Sequence, residues 1–250
     1  MAKKTLLEIV QEVLSDMVSD EVTNIDDTVE SQTVASIVRS VYEAMLANRN
    51  WPHTKNLIQL DSLVDVSKPV YLKMPGRLKE LVSLSYDVKK NESDSTLYQT
   101  IKYKDPGSFL RYLSNRDEKK DNVVPVVDFS GVKLMIFNDK APEFWTSFDD
   151  NHIVFDSYNS VLDTTLKKSK TACTAYITPL FERSNDSIPS LPEEAFPALI
   201  AEVKSTAFYD LKQMANEKEE KRSIQQQRWL SRKAWRAKGG VVYPNFGRRR

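Results

Sequence analysis

An α+β protein, helical at both ends with a β-rich insertion between, is predicted by three features of the sequence. Apolar residues recur at three- and four-residue steps near the N-terminus, the mark of amphipathic helices. From about residue 54 to 181 the pattern changes to short alternating runs separated by turn residues, the mark of strands. Beyond Pro197 the chain reaches Lys238 without a proline or glycine, roughly 42 residues, or about 63 Å as one unbroken helix. The expected fold is therefore a helical bundle of two N-terminal helices and one long C-terminal helix. Into it is inserted a mostly antiparallel β-sandwich or barrel. The expected domains are 1–53 (helical), 54–188 (β-rich), 189–238 (long helix) and 239–250 (a terminal arm).

Each element has its own signal. Thr5 and Glu8 have the spacing of a capping box, and Leu6, Val10, Val13, Leu14 and Met17 follow on one face. An acidic link leads to a second helix from about Val29 or Ser31, with Val34, Ile37, Val38, Val41, Tyr42, Met45 and Leu46 on one side. Trp51-Pro52 stops it, because proline disfavours helical geometry in the preceding residue. Strands are expected at 57–60, 70–73, 81–86, 97–103, 123–129, 132–137, 145–148, 152–155 and 171–181, and a helical turn at 77–80. Asp105-Pro106 opens a short helix. Ser130-Gly131 and Asp149-Asp150-Asn151 read as two hairpin turns. In the C-terminal helix an apolar stripe from Phe196 to Met214 can cover the N-terminal pair. Residues 216–228 contain only Ile224 as a large apolar group, and read as a polar shaft in solvent or between subunits.

The 250 residues hold 40% hydrophobic and 28% charged residues, enough for one large domain or two modest ones. No apolar run approaches the roughly 20 residues of a membrane span, and the N-terminus lacks a secretory pattern. Cys173 is the single cysteine, so neither an internal disulfide nor a cysteine zinc site is expected, which suits a reducing cytoplasm. The net charge of +1 hides an asymmetry. Residues 221–250 carry ten basic residues and no acid. Taking those ten from 36 leaves 26 basic against 35 acidic residues in the first 220, a body of −9 and a tail of +10. Such a tail suits an acidic partner, either nucleic acid or a negative protein surface.

Catalytic patterns are scarce. His53 and His152 sit in no metal-ligand spacing and read as structural. No phosphate loop, dinucleotide fingerprint or nucleophile elbow is present. Asp149, Asp150 and Asp156 are the one conceivable cation cluster, but Asp-Asp-Asn at a hairpin tip is ordinary turn chemistry. The expectation is no enzyme, no cofactor and no metal. The tail has three functional readings: arginines and indoles on nucleic acid, an arm docked on another protein, or a membrane-surface helix, which its sparse apolar face disfavours. A merely solvated tail fits poorly with a run as apolar as residues 241–246.

Three stretches together resemble a known family across essentially the whole chain. They are Arg49-Asn50-Trp51-Pro52 closing the N-terminal helices, PEFWTSFDDNHIVFD at 142–156, and LPEEAFP at 191–197 leading into the charged helix. In this order they resemble the head-to-tail adaptor (connector) proteins of tailed bacteriophages, the family that includes tail tubular protein A of short-tailed phages. The resemblance implies a non-enzymatic structural protein of the virion, made in the host bacterial cytoplasm and placed at the head–tail junction. It implies a ring of twelve copies joining the portal to the tail nozzle or neck and continuing the channel for packaged DNA. Docking on the portal would then fall to Trp229, Arg232, Trp235, Arg236, Tyr243, Pro244, Phe246, Arg248, Arg249 and Arg250. A nucleic-acid-binding protein using the same basic helix and tail is the alternative.

Overall fold

The computed structural model describes residues 3–63, 65–89, 95–162 and 170–232. The protein is mixed α+β. Its helices are α1 (Leu6–Asp16), α2 (Val29–Asn48), α3 (Pro106–Ser114), α4 (Phe196–Lys212) and α5 (Glu217–Arg232). Two compact units emerge: Met1–His53 with Pro179–Arg250, and Thr54–Thr178.

In the helical unit, local signals and burial agree. Thr5 Oγ1 accepts the Glu8 N–H at 3.2 Å while Glu8 Oε2 accepts the Thr5 N–H at 2.8 Å, which satisfies amides that the first turn leaves exposed. Leu6, Ile9, Val10, Val13 and Leu14 of α1 are buried. A second capping box, Thr28 with Ser31, starts α2, whose Val34, Val38, Tyr42 and Leu46 enter the same core. Arg49 turns extended, and buried Trp51 donates its indole N–H to Met45 O at 3.0 Å, closing the helix end. Residues 179–188 belong with these helices. Ser187 O accepts the Leu6 N–H at 2.7 Å, and the Asn185 side chain accepts the Ile25 N–H at 3.1 Å. Between α1 and α4, the buried Lys204 ammonium lies 2.8 Å from Glu12 and 2.7 Å from Asp16.

The C-terminal helix is not continuous. At Gln213 the backbone turns left-handed (φ 52°), and its N–H caps α4 by donating to Tyr209 O at 3.0 Å. Asn216 then caps α5 by accepting the Glu219 N–H at 3.2 Å. Helix α5 packs back on α4 instead of extending from it as a shaft. Ser223 is fully buried and donates to Glu202, and Leu230 is buried in the core shared by α1, α2 and α4. Side-chain burial on the facing helix, which local sequence does not encode, sets the break.

Among its described residues the second unit holds eleven strands: β1 (Lys55–Ile58), β2 (Asp61–Ser62), β3 (Tyr71–Lys73), β4 (Leu78–Asp87), β5 (Tyr98–Thr100), β6 (Lys102–Tyr103), β7 (Val123–Val127), β8 (Lys133–Phe137), β9 (Phe144–Thr146), β10 (His152–Phe155) and β11 (Thr171–Ile177). They form sheets ordered β1-β11-β4-β5 and β2-β3-β10-β9-β6, with β7-β8 as a separate hairpin. Among the described residues the strand pairings are antiparallel except β6 with β9, and an isolated parallel bridge joins Phe137 to Ser157. Residues 77–80 are not a helical turn: Leu78 pairs with Ile177 and Glu80 with Tyr176. The run at 97–103 is not one strand either. Its first part pairs with β4 and its last with β9, and the change falls at buried Ile101, whose N–H donates to Leu84 O at 2.9 Å. Tyr71, Leu72, Leu84, Phe109, Phe155 and Cys173 centre the core of this unit. Burial pushes the Cys173 thiol up to about 12, so it is held as an unreactive thiol.

Candidate interaction surfaces

The acids and histidines singled out by the sequence serve separate local roles. Asp156 is fully buried. One of its oxygens accepts the Glu143 and Phe144 amides at 3.0 and 2.9 Å, and the other lies 3.0 Å from Arg116. The Arg116 guanidinium also donates to Met135 O and Asp156 O, and lies 4.0 Å from the Phe137 ring centre. This clasp ties the end of α3 to β8, β9 and β10. Asp149 caps the turn before β10, accepting the Asn151 and His152 amides at 3.0 and 2.8 Å and His152 Nδ1 at 2.6 Å. Asp150 takes the left-handed turn position, with φ 56°. No group of three acids, histidines or cysteines suited to a metal ion occurs among the described residues. His53 Nε2 lies 2.7 Å from Ser190 O, in the helical unit.

In the β unit, the two hairpin tips flank a hollow of about 430 Å³. Tyr71, Leu110, Phe129, Val132, Phe148 and Val154 form most of its wall, with Asp128, Asp149 and His152 among them. The turn that carries Asp128 is fixed locally. Gly131 adopts φ 85°, and Asp128 accepts the Ser130 N–H and hydroxyl at 2.9 and 2.6 Å. The Tyr71 hydroxyl donates to the other Asp128 oxygen at 2.6 Å. Burial pushes the Asp128 carboxyl up, but the bonds from Ser130, Tyr71 and the Phe129 amide outweigh it and hold it at about 2. The Tyr71 phenol is raised, first by burial and then by the Asp128 hydrogen bond and the charges of Asp128 and Asp149. For Asp149, burial is again outweighed, by the His152 and Asn151 hydrogen bonds, and its carboxyl titrates below the ordinary value. In the sequence this hairpin reads only as a turn; the signal for the hollow is a large apolar residue, Phe129, beside an acid at a hairpin tip.

Of the ten predicted docking residues, Trp229 and Arg232 lie among those described, near the end of α5. Trp229 is 49% exposed and Arg232 is exposed, while Leu230 between them is buried. Trp235, Arg236, Tyr243, Pro244, Phe246, Arg248, Arg249 and Arg250 lie outside the described residues. Beside Leu230 runs a groove of about 270 Å³ lined by Val41, Trp51, Glu202 and Gln227. The Arg49 guanidinium lies 4.8 Å from the Trp51 ring centre.

Compared with known proteins, the chain matches no protein-family model and no curated protein. Among the described residues, no helix is long and apolar enough to cross a membrane.

Proposed function

We propose that this chain is a structural, non-enzymatic virion protein, a head-to-tail adaptor of a tailed bacteriophage. Twelve copies form a ring that joins the portal to the tail nozzle or neck and continues the DNA channel at the head–tail junction. In this reading the helical unit is a bundle in which the C-terminal helices complete the N-terminal pair, and the β unit is a sandwich or barrel inserted into it. The separate apolar cores of the two units support that architecture.

The observation that carries the functional reading is the base of the tail. Leu230 anchors the last turns of α5 in the core while Trp229 and Arg232 face outward. From that anchored helix the chain continues into 233–250, which holds six basic residues and no acid, together with Trp235, Tyr243 and Phe246. Tryptophan, tyrosine and arginine are the residues that most often dominate binding at protein interfaces. A body of −9 suits a channel through which DNA slides without adhering, and a tail of +10 suits an acidic portal surface.

Negative-stain microscopy of the purified chain, alone and mixed with portal rings of the same particle, tests this reading. Free rings, or portal rings bearing an added twelvefold layer, are expected; portal rings left bare would contradict it. The arginines of α5, Arg222, Arg228 and Arg232, favour nucleic-acid binding as the second reading. That reading requires filter-retained DNA binding that falls steeply with salt, whereas the adaptor reading expects only a weak, shallow response.

A further inference from the structure

The hollow of the β unit presents an unusual inventory. Its two carboxylates are held ionised by hydrogen-bond donors: Tyr71 and Ser130 for Asp128, and the Asn151 and His152 amides with the imidazole for Asp149. An ionised carboxylate donates nothing, so at 2.6 Å it is the His152 Nδ1 that donates to Asp149. Among the described residues, neither carboxylate has a lysine or arginine within ion-pair distance. The Tyr71 and Ser130 hydroxyls spend their hydrogens on Asp128. The polar floor is therefore rich in acceptors and poor in donors. Around it Leu110, Phe129, Val132 and Phe148 are all exposed apolar side chains.

We propose that this hollow receives an arginine or lysine side chain, flanked by apolar residues, from a partner protein chain. A guanidinium brings five donors and no acceptor, the complement of this floor. Its aliphatic stem fits the apolar collar. The aromatic wall already tolerates a cation: the Lys68 ammonium lies 4.2 Å from the Phe129 ring centre, bonded to Val127 O at 2.7 Å and to neither carboxylate. Two carboxylates face that one lysine ammonium, which bonds to neither of them, and a second cation can meet them directly. A sugar, whose hydroxyls need donors as well as acceptors, matches the floor less well.

The test is methyl NMR on the full chain, following Leu110, Val132, Leu134 and Val154 during titration with acetyl-Leu-Arg-Leu-amide. The same peptide with citrulline is isosteric and uncharged, and is the control. Saturable shifts confined to these methyls are expected for the arginine peptide, with Asp128→Asn and Asp149→Asn each weakening it about tenfold. The methyl pattern of Leu84 and Ile101 reports whether each variant keeps its core. No saturable shift with the arginine peptide overturns the proposal. So does equal affinity for citrulline, undiminished affinity in a folded double variant, or maltose binding where the arginine peptide does not. None of these outcomes bears on portal attachment, which the C-terminal segment carries.

Discussion

Asp156 and Arg116 are both nearly fully buried, at 0% and 4% side-chain exposure, and each is the other's charge partner. Replacing Asp156 with Asn keeps the shape but leaves a buried guanidinium uncompensated, a change that costs about 3–5 kcal/mol. Urea unfolding of Asp156→Asn should show that loss, whereas Asp150→Asn, at an exposed turn position that Asn also tolerates, should change stability by less than about 0.5 kcal/mol. Sequence alone treats the two aspartates alike, because the partner of Asp156 lies 40 residues away. A second residue-scale prediction concerns Glu12. Burial raises its carboxyl, but hydrogen bonds and charge from Lys204 and Lys4 leave it below the ordinary 4.5. A depressed carboxyl contributes stability that is present above 4.5 and lost as the pH falls through its lowered value. For Lys204, burial lowers the ammonium but Asp16 and Glu12 hold it above 10.5, so its contribution is lost only as the pH rises beyond that value. Glu12→Gln should therefore lower the melting temperature at neutral pH and shrink the decline on acidification below pH 4.5. An acid limb as steep as that of the parent would contradict this assignment.

Among the elements, those with local signals were legible and those set by distant packing were not. The capping box at Thr5, the stop at Trp51-Pro52 and the turn at Ser130-Gly131 each encode their geometry within a few residues. The break at Gln213 has a weaker signal, since Gln213-Met214-Ala215-Asn216 contains neither glycine nor proline and only Asn216, the cap of α5, marks a helix start. A continuous helix is the better local choice, and a left-handed non-glycine residue costs about 1–2 kcal/mol. Burial of Leu230 and the Ser223–Glu202 bond offset that cost by bringing α5 onto α4. Leu230→Ala should cost about 2–4 kcal/mol in denaturant unfolding. Gln213→Gly should stabilise the protein by roughly 0.5–1 kcal/mol, since glycine adopts the left-handed position freely. A destabilised glycine variant would contradict that account of the turn. The division of residues 97–103 between two sheets was similarly hidden, because an alternating run looks the same whether one sheet or two receive it. The hollow was illegible for the same reason: it exists only where the tips at 128–131 and 149–152 approach one another.

For the molecule as a whole, the charge division between residues 1–220 and 221–250 stands out in the sequence, and α5 sharpens where it becomes useful. Removing everything from Trp229 onward would delete Leu230 and damage the helical core, so loss of binding would say little. Truncation after Arg232 spares that anchor and removes only 233–250. The most direct test of attachment is co-sedimentation of portal rings with the intact chain and with this truncated chain, each first verified as folded by circular dichroism. The account predicts that the intact chain pellets with portal and that the folded truncated chain stays in the supernatant. Equal co-sedimentation of the two would contradict it.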